Sequence, residues 1–289
     1  MKKALITVYY PAEDVRNNIF AIAKQTDYVY ICDNSPEENS KIFEFAEFKG
    51  QIEYIWFGEN LGLSQAFNSV LTADNGWNDD DYILFFDQDS HINEGHIESL
   101  ISEFEMLLKG GFDVGCLGPV FFNTSNNTVE VPKIKTPLTE HSFKVSSVIT
   151  SSMLCRYKDI KNIGFWNDKV FLDMADWDFC WRMVKHNKLC CMTDAVTLKH
   201  SLGTGEKRVG PIRLRVGSAI REYYQTRECI YLLTKGYTPI KFKIRFIAML
   251  TVRPIMHLLF LDNRKTRFKC ICMGVCDFFK KKCGALNMR

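Results

Sequence analysis

The sequence has no G-x-G-x-x-G after its first strand-like run and no G-x-x-x-x-G-K-[ST] anywhere. That argues against a nicotinamide dehydrogenase and against a P-loop NTPase. It also lacks an unbroken apolar run long enough to cross a bilayer. Phe246–Leu261 is 16 residues long and is interrupted by Arg253, Pro254 and His257, whereas a span needs roughly 20. Cys270-x-Cys272-x-x-x-Cys276 has no second C-x-x-C pair, so a structural zinc is not expected. Met1-Lys2-Lys3 leads into Ala4–Tyr9 with no small-residue cleavage site, so no secretory leader is expected. The eleven scattered cysteines accordingly read as reduced cytosolic thiols. No internal repeat or low-complexity segment interrupts the chain.

With 46% hydrophobic and 25% charged residues, the 289-residue chain is ordinary globular material. It is long enough for one α/β domain with an appendage. The charge is unevenly spread. Residues 240–289 hold twelve Lys/Arg against two Asp, a net of +10, while the other 239 hold 25 against 32, a net of −7. A basic tail on an acidic body is expected to meet something anionic.

The first half alternates strand and helix patterns. Strands are expected at Lys3–Tyr9, Tyr28–Cys32, Ile52–Phe57, Tyr82–Phe86 and Val114–Val120. Helical segments are expected from the Val15/Ile19/Ile22/Ala23 face, near Glu37–Phe48, over Ser64–Leu71 and near Gly95–Leu108. This rhythm implies right-handed crossovers and a mostly parallel sheet. The uncharged run Tyr82–Phe86 reads as a strand buried on both faces. Asp87-Gln88-Asp89-Ser90 follows it at once. Two carboxylates one residue apart at the carboxyl edge of a sheet repel each other unless a cation lies beside them, so a divalent metal with oxygen ligands is expected there; an ordinary acidic turn is the alternative. Thr7 with Tyr9 and Tyr10, Asp33 with Asn34, and Asn60 with Gly62 also fall at expected strand ends. The four sets would line one rim, as in a nucleotide site.

Taken in order, Val8-Tyr9-Tyr10-Pro11, Cys32-Asp33-Asn34-Ser35, Asn60–Asn68 and Phe86-Asp87-Gln88-Asp89-Ser90 resemble family 2 glycosyltransferases of GT-A fold, and bacterial rhamnosyltransferases most. The likeness runs from about residue 4 to about residue 235. It departs from the family at Tyr10, where Asn is commoner. The resemblance implies that Asp33 recognises the nucleotide base. It implies that Asp89 binds the metal holding the diphosphate, Mg²⁺ or Mn²⁺, with Asp87 near the ribose. Thr7, Tyr9, Asn34, Asn60, Gly62, Gln65 and Gln88 are the remaining expected nucleotide-binding positions.

Val148–Leu154 reads as a strand and resembles the family's S-G-S-L segment beside the donor sugar, with Ser in place of Gly; a plain core strand is the alternative. It makes Ser151 and Ser152 expected substrate contacts. Phe171–Arg182 contains Asp173, Asp176 and Asp178 interleaved with Trp177, Phe179 and Trp181. Three carboxylates there suit a helix N-terminus facing a pocket, and the aromatics suggest inward packing. The stretch resembles the family's F-I-D-x-x-D-x-E-x-x-x-R motif, with Asp178 for Glu. By that alignment Asp176 is the general base, needed because an alcohol is a weak nucleophile until its proton is being removed. Asp173 is the second choice, Trp177 an expected substrate contact, and Asp178 with Arg182 are expected to shape the helix. His200 matches the family's H-x-L-G and is the expected third metal ligand. Gly203, Gly205 and Gly210 with Lys207 and Arg208 suggest a loop that closes over a diphosphate. Arg221–Arg227 resembles R-x-Y-Y-x-x-R-N, with Glu228 for the final Asn, and gives Arg221 and Arg227 as expected phosphate contacts.

These expectations combine into a GT-A domain over 1–238 and a basic helical tail over 239–289. The activity expected is inverting, metal-dependent transfer of a sugar, with dTDP-L-rhamnose as the implied donor. A polysaccharide or lipid-linked glycan is the implied acceptor. UDP-galactofuranose, galactose and glucose donors remain alternatives. A haloacid-dehalogenase-like phosphatase, which also opens on D-x-D, and a non-catalytic sugar-nucleotide-binding protein are the rival classes. The tail is read as an interfacial helix pair on the inner face of the cell membrane. Covering the catalytic domain, or a homodimer contact, is its alternative. The apolar content is too high for a nucleic-acid-binding arm.

Overall fold

A computed structural model describes residues 1–73, 76–123, 128–200, 206–209, 212–215 and 217–286; of Asn123, His200 and the 206–209 and 212–215 strands it describes the backbone. The order of elements is β1 (Lys2–Val8), α1 (Val15–Ala23), β2 (Tyr28–Asp33), β3 (Ile52–Trp56), α2 (Gly62–Leu71), β4 (Tyr82–Asp87), α3 (His96–Lys109), β5 (Val114–Asn123), β6 (Thr128–Glu130), β7 (Thr136–Pro137), β8 (Ser142–Val145), β9 (Met153–Arg156), α4 (Tyr157–Asn162), α5 (Ala175–Lys185), β10 (Leu189–His200), β11 (Glu206–Val209), β12 (Ile212–Arg215), α6 (Arg221–Leu233), α7 (Ile240–Phe260) and α8 (Arg264–Phe279).

The main sheet runs β3-β2-β1-β4-β9-β5-β10-β8-β7, with β6 on β5. β1 to β4 are parallel, and β5 pairs β10 in parallel. β9 enters antiparallel to both β4 and β5. The chain builds outward from β1 to β3 and then returns to lay β4 on the other side of β1. The carboxyl edge between β1 and β4 is therefore a topological switch point, where open α/β sheets bind ligands.

Burial on both sheet faces explains the uncharged strands. Leu5, Ile83 and Phe85 point to one core with α2 and α5. Ala4, Ile6, Leu84 and Phe86 point to the other with α1 and α3. All seven are fully buried, and each large side chain contributes roughly 1.5–3 kcal/mol relative to exposure.

Two expectations are corrected. Glu37–Phe48 is not a helix but two short 3-10 turns, Ser40–Phe43 and Ala46–Phe48. Its carboxyl end is held by aromatic packing of Phe45 and Phe48 on Phe20 rather than by an amphipathic face. The strand expected over Val148–Leu154 begins only at Met153. Thr150–Ser152 form a turn because their hydroxyls bond to groups on three different elements, as described below.

The tail packs back on the body. Phe242 and Phe246 of α7 join the core beside Trp177 and Trp181. Glu222 on α6 is buried and accepts from His257 Nδ1 (2.6 Å) on α7 and Arg267 (3.0 Å) on α8. At Gly274 a Cβ would stand 2.7 Å from the Tyr223 carbonyl oxygen, so α6 and α8 meet closely there. Of the alternatives for the tail, covering the catalytic body is thus realised, while the outward face of α7 stays exposed. No helix among the described residues is long and apolar enough to cross a membrane.

Candidate active site

Register assembles the rim. Thr7 lies opposite Asp87 and Cys32, and Val8 and Trp56 lie opposite Asp33, so the polar ends of four parallel strands stand side by side. Short hydrogen bonds lock the loops between them. The Tyr9 N–H donates to Gln88 Oε1 (2.8 Å), the Asn34 amide donates to the Gly62 carbonyl (3.3 Å), the Leu61 N–H donates to Asn34 Oδ1 (2.9 Å), and the Gly62 N–H donates to Asn60 Oδ1 (2.9 Å). Gly62 has φ +77°, and a Cβ there would sit 2.5 Å from the Phe171 carbonyl oxygen. The Leu63 N–H donates to that same oxygen (2.8 Å), so only glycine fits. Gln65 is exposed on the first turns of α2.

Asp33 is fully buried. Its carboxylate accepts from the Ser35 N–H (2.8 Å), Asn39 Nδ2 (3.0 Å) and the Tyr54 hydroxyl (2.6 Å). It therefore braces the rim from behind, and Tyr54, which the sequence reading missed, is its principal partner. Exposed Trp56 and Tyr9 flank it.

One turn joins the acids. Thr150 Oγ1 donates to Asp176, Ser151 Oγ donates to Asp87, and Ser152 Oγ pairs with His96 Nε2 at 2.8 Å. Ser151 and Ser152 are almost fully buried, so their hydroxyls brace the site rather than face a sugar. Ser152 has φ +63°, a left-handed conformation that glycine, expected here from the resemblance, adopts more readily. Tyr10, the other departure, has φ +46°, a left-handed conformation that Asn tolerates better than a bulky ring.

Asp176 stands in the first turn of α5. Burial pushes its carboxyl up to about 8; Thr150 hydrogen bonds oppose this and the Asp87 charge adds to it. Asp173, by contrast, is paired with Arg221 Nε (3.1 Å). The two carboxylates thus differ in setting, Asp176 beside the Thr150 hydroxyl and Asp173 beside a guanidinium. Asp178 accepts from Arg182 (2.7 Å), Asn167 (2.9 Å) and Tyr237 (2.5 Å) and shapes the helix as expected.

Three positions do not reach the rim as anticipated. Arg227 is buried, donating to the Tyr223 hydroxyl (3.0 Å) and the Gly284 carbonyl (2.9 Å). Six residues after Arg221, it faces α8 instead of the site, because six residues overshoot a helical face. Arg221 reaches Asp173. Trp177 is half-buried and packs on Phe242 and Phe246 of α7, with Arg245 over its ring (5.1 Å). Sequence reading also passed over the role of Glu228. Fully buried on α6, its carboxylate accepts the N–H groups of Phe171 (2.9 Å), Leu172 (3.3 Å) and Met174 (3.1 Å), anchoring the segment that leads into α5.

Asp89 is exposed just beyond β4. An isolated bridge between His91 and Lys199 brings its turn against the end of β10, whose last residue is His200. An exposed carboxylate such as that of Asp89 is the kind of oxygen ligand that a hard divalent cation such as Mg²⁺ or Mn²⁺ takes. The His200 side chain, Gly203, Gly205, Gly210 and the side chains of Lys207 and Arg208 lie outside the described residues; the backbone of the last two forms the β11–β12 hairpin.

A mixed sheet, parallel over β1 to β4, with acids gathered at the β1/β4 switch point, is the layout of a GT-A fold. The chain belongs to glycosyl transferase family 2, whose model matches residues 4–161. It is 24% identical over 263 residues to the dTDP-rhamnosyl transferase RfbF of Shigella flexneri, covering 85% of this chain and 84% of that one. Among solved structures it resembles GalNAc-T7 with UDP, GalNAc and Mn²⁺ (TM-score 0.57, 11% identity, 97% of this chain and 57% of that one). It also resembles TarS of S. aureus (TM-score 0.54, 15% identity, 90% and 44%). The chain therefore spans about half the length of these two structures, and the likeness is one of fold. Family membership sets the phosphatase alternative aside.

Proposed function

We propose that the protein transfers L-rhamnose from dTDP-L-rhamnose to a hydroxyl of a polysaccharide or lipid-linked glycan, with inversion at the anomeric carbon. The observation that carries the chemistry is the placement of Asp176 beside Asp87, held by Thr150 and raised towards working pH. The donor assignment rests on the rhamnosyl transferase relative.

The β1/β4 crevice receives the nucleotide, with Thr7, Tyr9, Gln88 and Asn34 setting its walls and Asp33 fixing their shape. Asp87, oriented by Ser151, faces the ribose, and Asp89 with His200 would hold Mg²⁺ or Mn²⁺. When bound, that ion supplies positive charge opposite the diphosphate as it leaves. Asp176 accepts the proton of the acceptor hydroxyl as its oxygen attacks the face opposite the nucleotide. Arg221 holds Asp173 as a spectator and keeps a second free carboxylate away from the base.

The exposed face of α7 supports a membrane-surface role. Ile244, Ile247, Val252, Ile255 and Leu259 are each more than half exposed. Exposed Lys241, Arg245, Arg264, Lys265 and Lys269 surround them, a pattern suited to an anionic interface. That placement would put the active site within reach of a lipid-linked acceptor from the inner leaflet.

Thermal-shift screening of nucleotide sugars, with and without Mn²⁺, tests the donor. Stabilisation by dTDP-rhamnose that requires the cation is expected. Stabilisation by UDP-galactofuranose or UDP-galactose instead would overturn the donor assignment while leaving the reaction class standing.

A further inference from the structure

Three thiols that the transfer chemistry does not use converge in the core from three separate elements. They are Cys116 on β5, Cys180 on α5 and Cys190 on β10, all fully buried. Their sulfurs all lie within 4.8 Å of one another, with Cys116 and Cys180 4.0 Å apart. Three sulfurs arranged trigonally around one ion at metal–sulfur bonds of about 2.3 Å would stand about 4.0 Å apart. The Val148 N–H donates to Cys180 Sγ (3.3 Å), and that thiol donates to the Val148 carbonyl (3.7 Å).

We propose that Cys116, Cys180 and Cys190 form a three-coordinate site for a soft monovalent cation, Cu⁺, at the base of the catalytic helix. Among the described residues no fourth His, Cys, Asp or Glu joins the group, whereas structural zinc takes four ligands. Soft thiolates in a dry setting select Cu⁺. Binding exchanges protons for the ion without electron transfer. Two S–H protons leave to solvent, Cys180 and one neighbour bind as thiolates, and the third sulfur binds as thiol. Cys180 lies one turn beyond Asp176, so the ion would fasten α5 to β5 and β10.

Exposed Cys272, Cys276 and Cys283 would also take up soft metals, so the test uses the full chain with all three changed to Ser. The protein is loaded with Cu⁺ without oxygen and dialysed against a Cu⁺ chelator. One copper per chain is expected, with three sulfur neighbours by X-ray absorption and a Tm raised by a few degrees. Cys190→Ala and Cys180→Ser should each cut retained copper at least tenfold; if the second does not fold, the first carries the test. Loss of all copper to the chelator, nitrogen or oxygen neighbours, or copper content unchanged in Cys190→Ala would each overturn the site.

Discussion

In the proposed reaction the chemistry concentrates at Asp176. Asp176→Asn should lower transfer by about 10²–10⁴-fold, the range for removing a general base, with donor affinity nearly unchanged by calorimetry. Asp173→Asn should cost far less, because Arg221 already neutralises Asp173. Since the base works ionised and its carboxyl is raised to about 8, the rate should climb with pH up to that value. Thr150→Val removes a hydrogen bond that favours the ionised form, so its pH–rate profile should move to higher pH; an unmoved profile would remove Thr150 as the setting group. Stability runs the other way. The folded pKa values of Asp176 and of Glu228, raised to about 7 by burial and the Asp173 charge, lie above their unfolded values. Their contribution is complete below about pH 4 and is lost as pH rises through 7 and 8. In EDTA, Tm should therefore fall across that window, and the Asp176→Asn, Glu228→Gln double variant should flatten the decline. The same scale shows what the sequence made legible. Carboxylates and glycines announce themselves by type and position, which is why the placement of Asp87 and Gly62 at the strand ends was readable. Thr150 and Tyr54 were not, because their roles depend on partners 26 and 21 residues away that no local pattern specifies.

At the level of elements, the segment from Asn167 to Met174 is the joint between the β1/β4 rim and α5. Its Phe171 carbonyl binds the start of α2, and its amides bind Glu228 on α6. Glu228→Gln would turn one acceptor oxygen into a donor facing an N–H group, leaving unpaired buried groups at about 1–3 kcal/mol each. A lowered Tm together with a lower kcat is expected. Gly62→Ala should be worse, since it combines a left-handed φ with a backbone collision, and urea unfolding would measure it. Tyr10→Asn should stabilise by about 1 kcal/mol by relieving the left-handed strain on a bulky residue. Periodicity disclosed β1 to β5 with α1, α2 and α3, because each of these strands is mostly apolar and each of these helices amphipathic. It misread Glu37–Phe48, where apolar spacing reflected aromatic stacking on α1, and Val148–Leu154, where three hydroxyl residues chose side-chain partners over a ladder. The antiparallel insertion of β9 was beyond pattern reading, since strand direction depends on what precedes the strand in space.

For the whole molecule, the division of charge between body and tail has a structural counterpart. The tail spends its inner face on α6 and the aromatic core, and turns isoleucines and lysines outward. Binding to vesicles rich in anionic lipid should weaken steeply with salt, and the Ile244→Asp, Ile255→Asp double variant should abolish it. Transfer to a soluble acceptor should be unaffected in that variant; unchanged vesicle binding would remove α7 as the contact. The cooperative packing of α6, α7 and α8 through Glu222 also implies that deleting 240–289 would unseat Arg221 and Glu228, so truncation is expected to lose activity along with membrane binding. The central claim is that a cation and a nucleotide diphosphate share the edge between β1 and β4, within reach of Asp176. A crystal structure with dTDP and Mn²⁺ measures this directly. Manganese density touching both Asp89 and the diphosphate, with the base in the crevice beside Asp33, is the expected result; a diphosphate bound away from Asp89, or without metal, would contradict it.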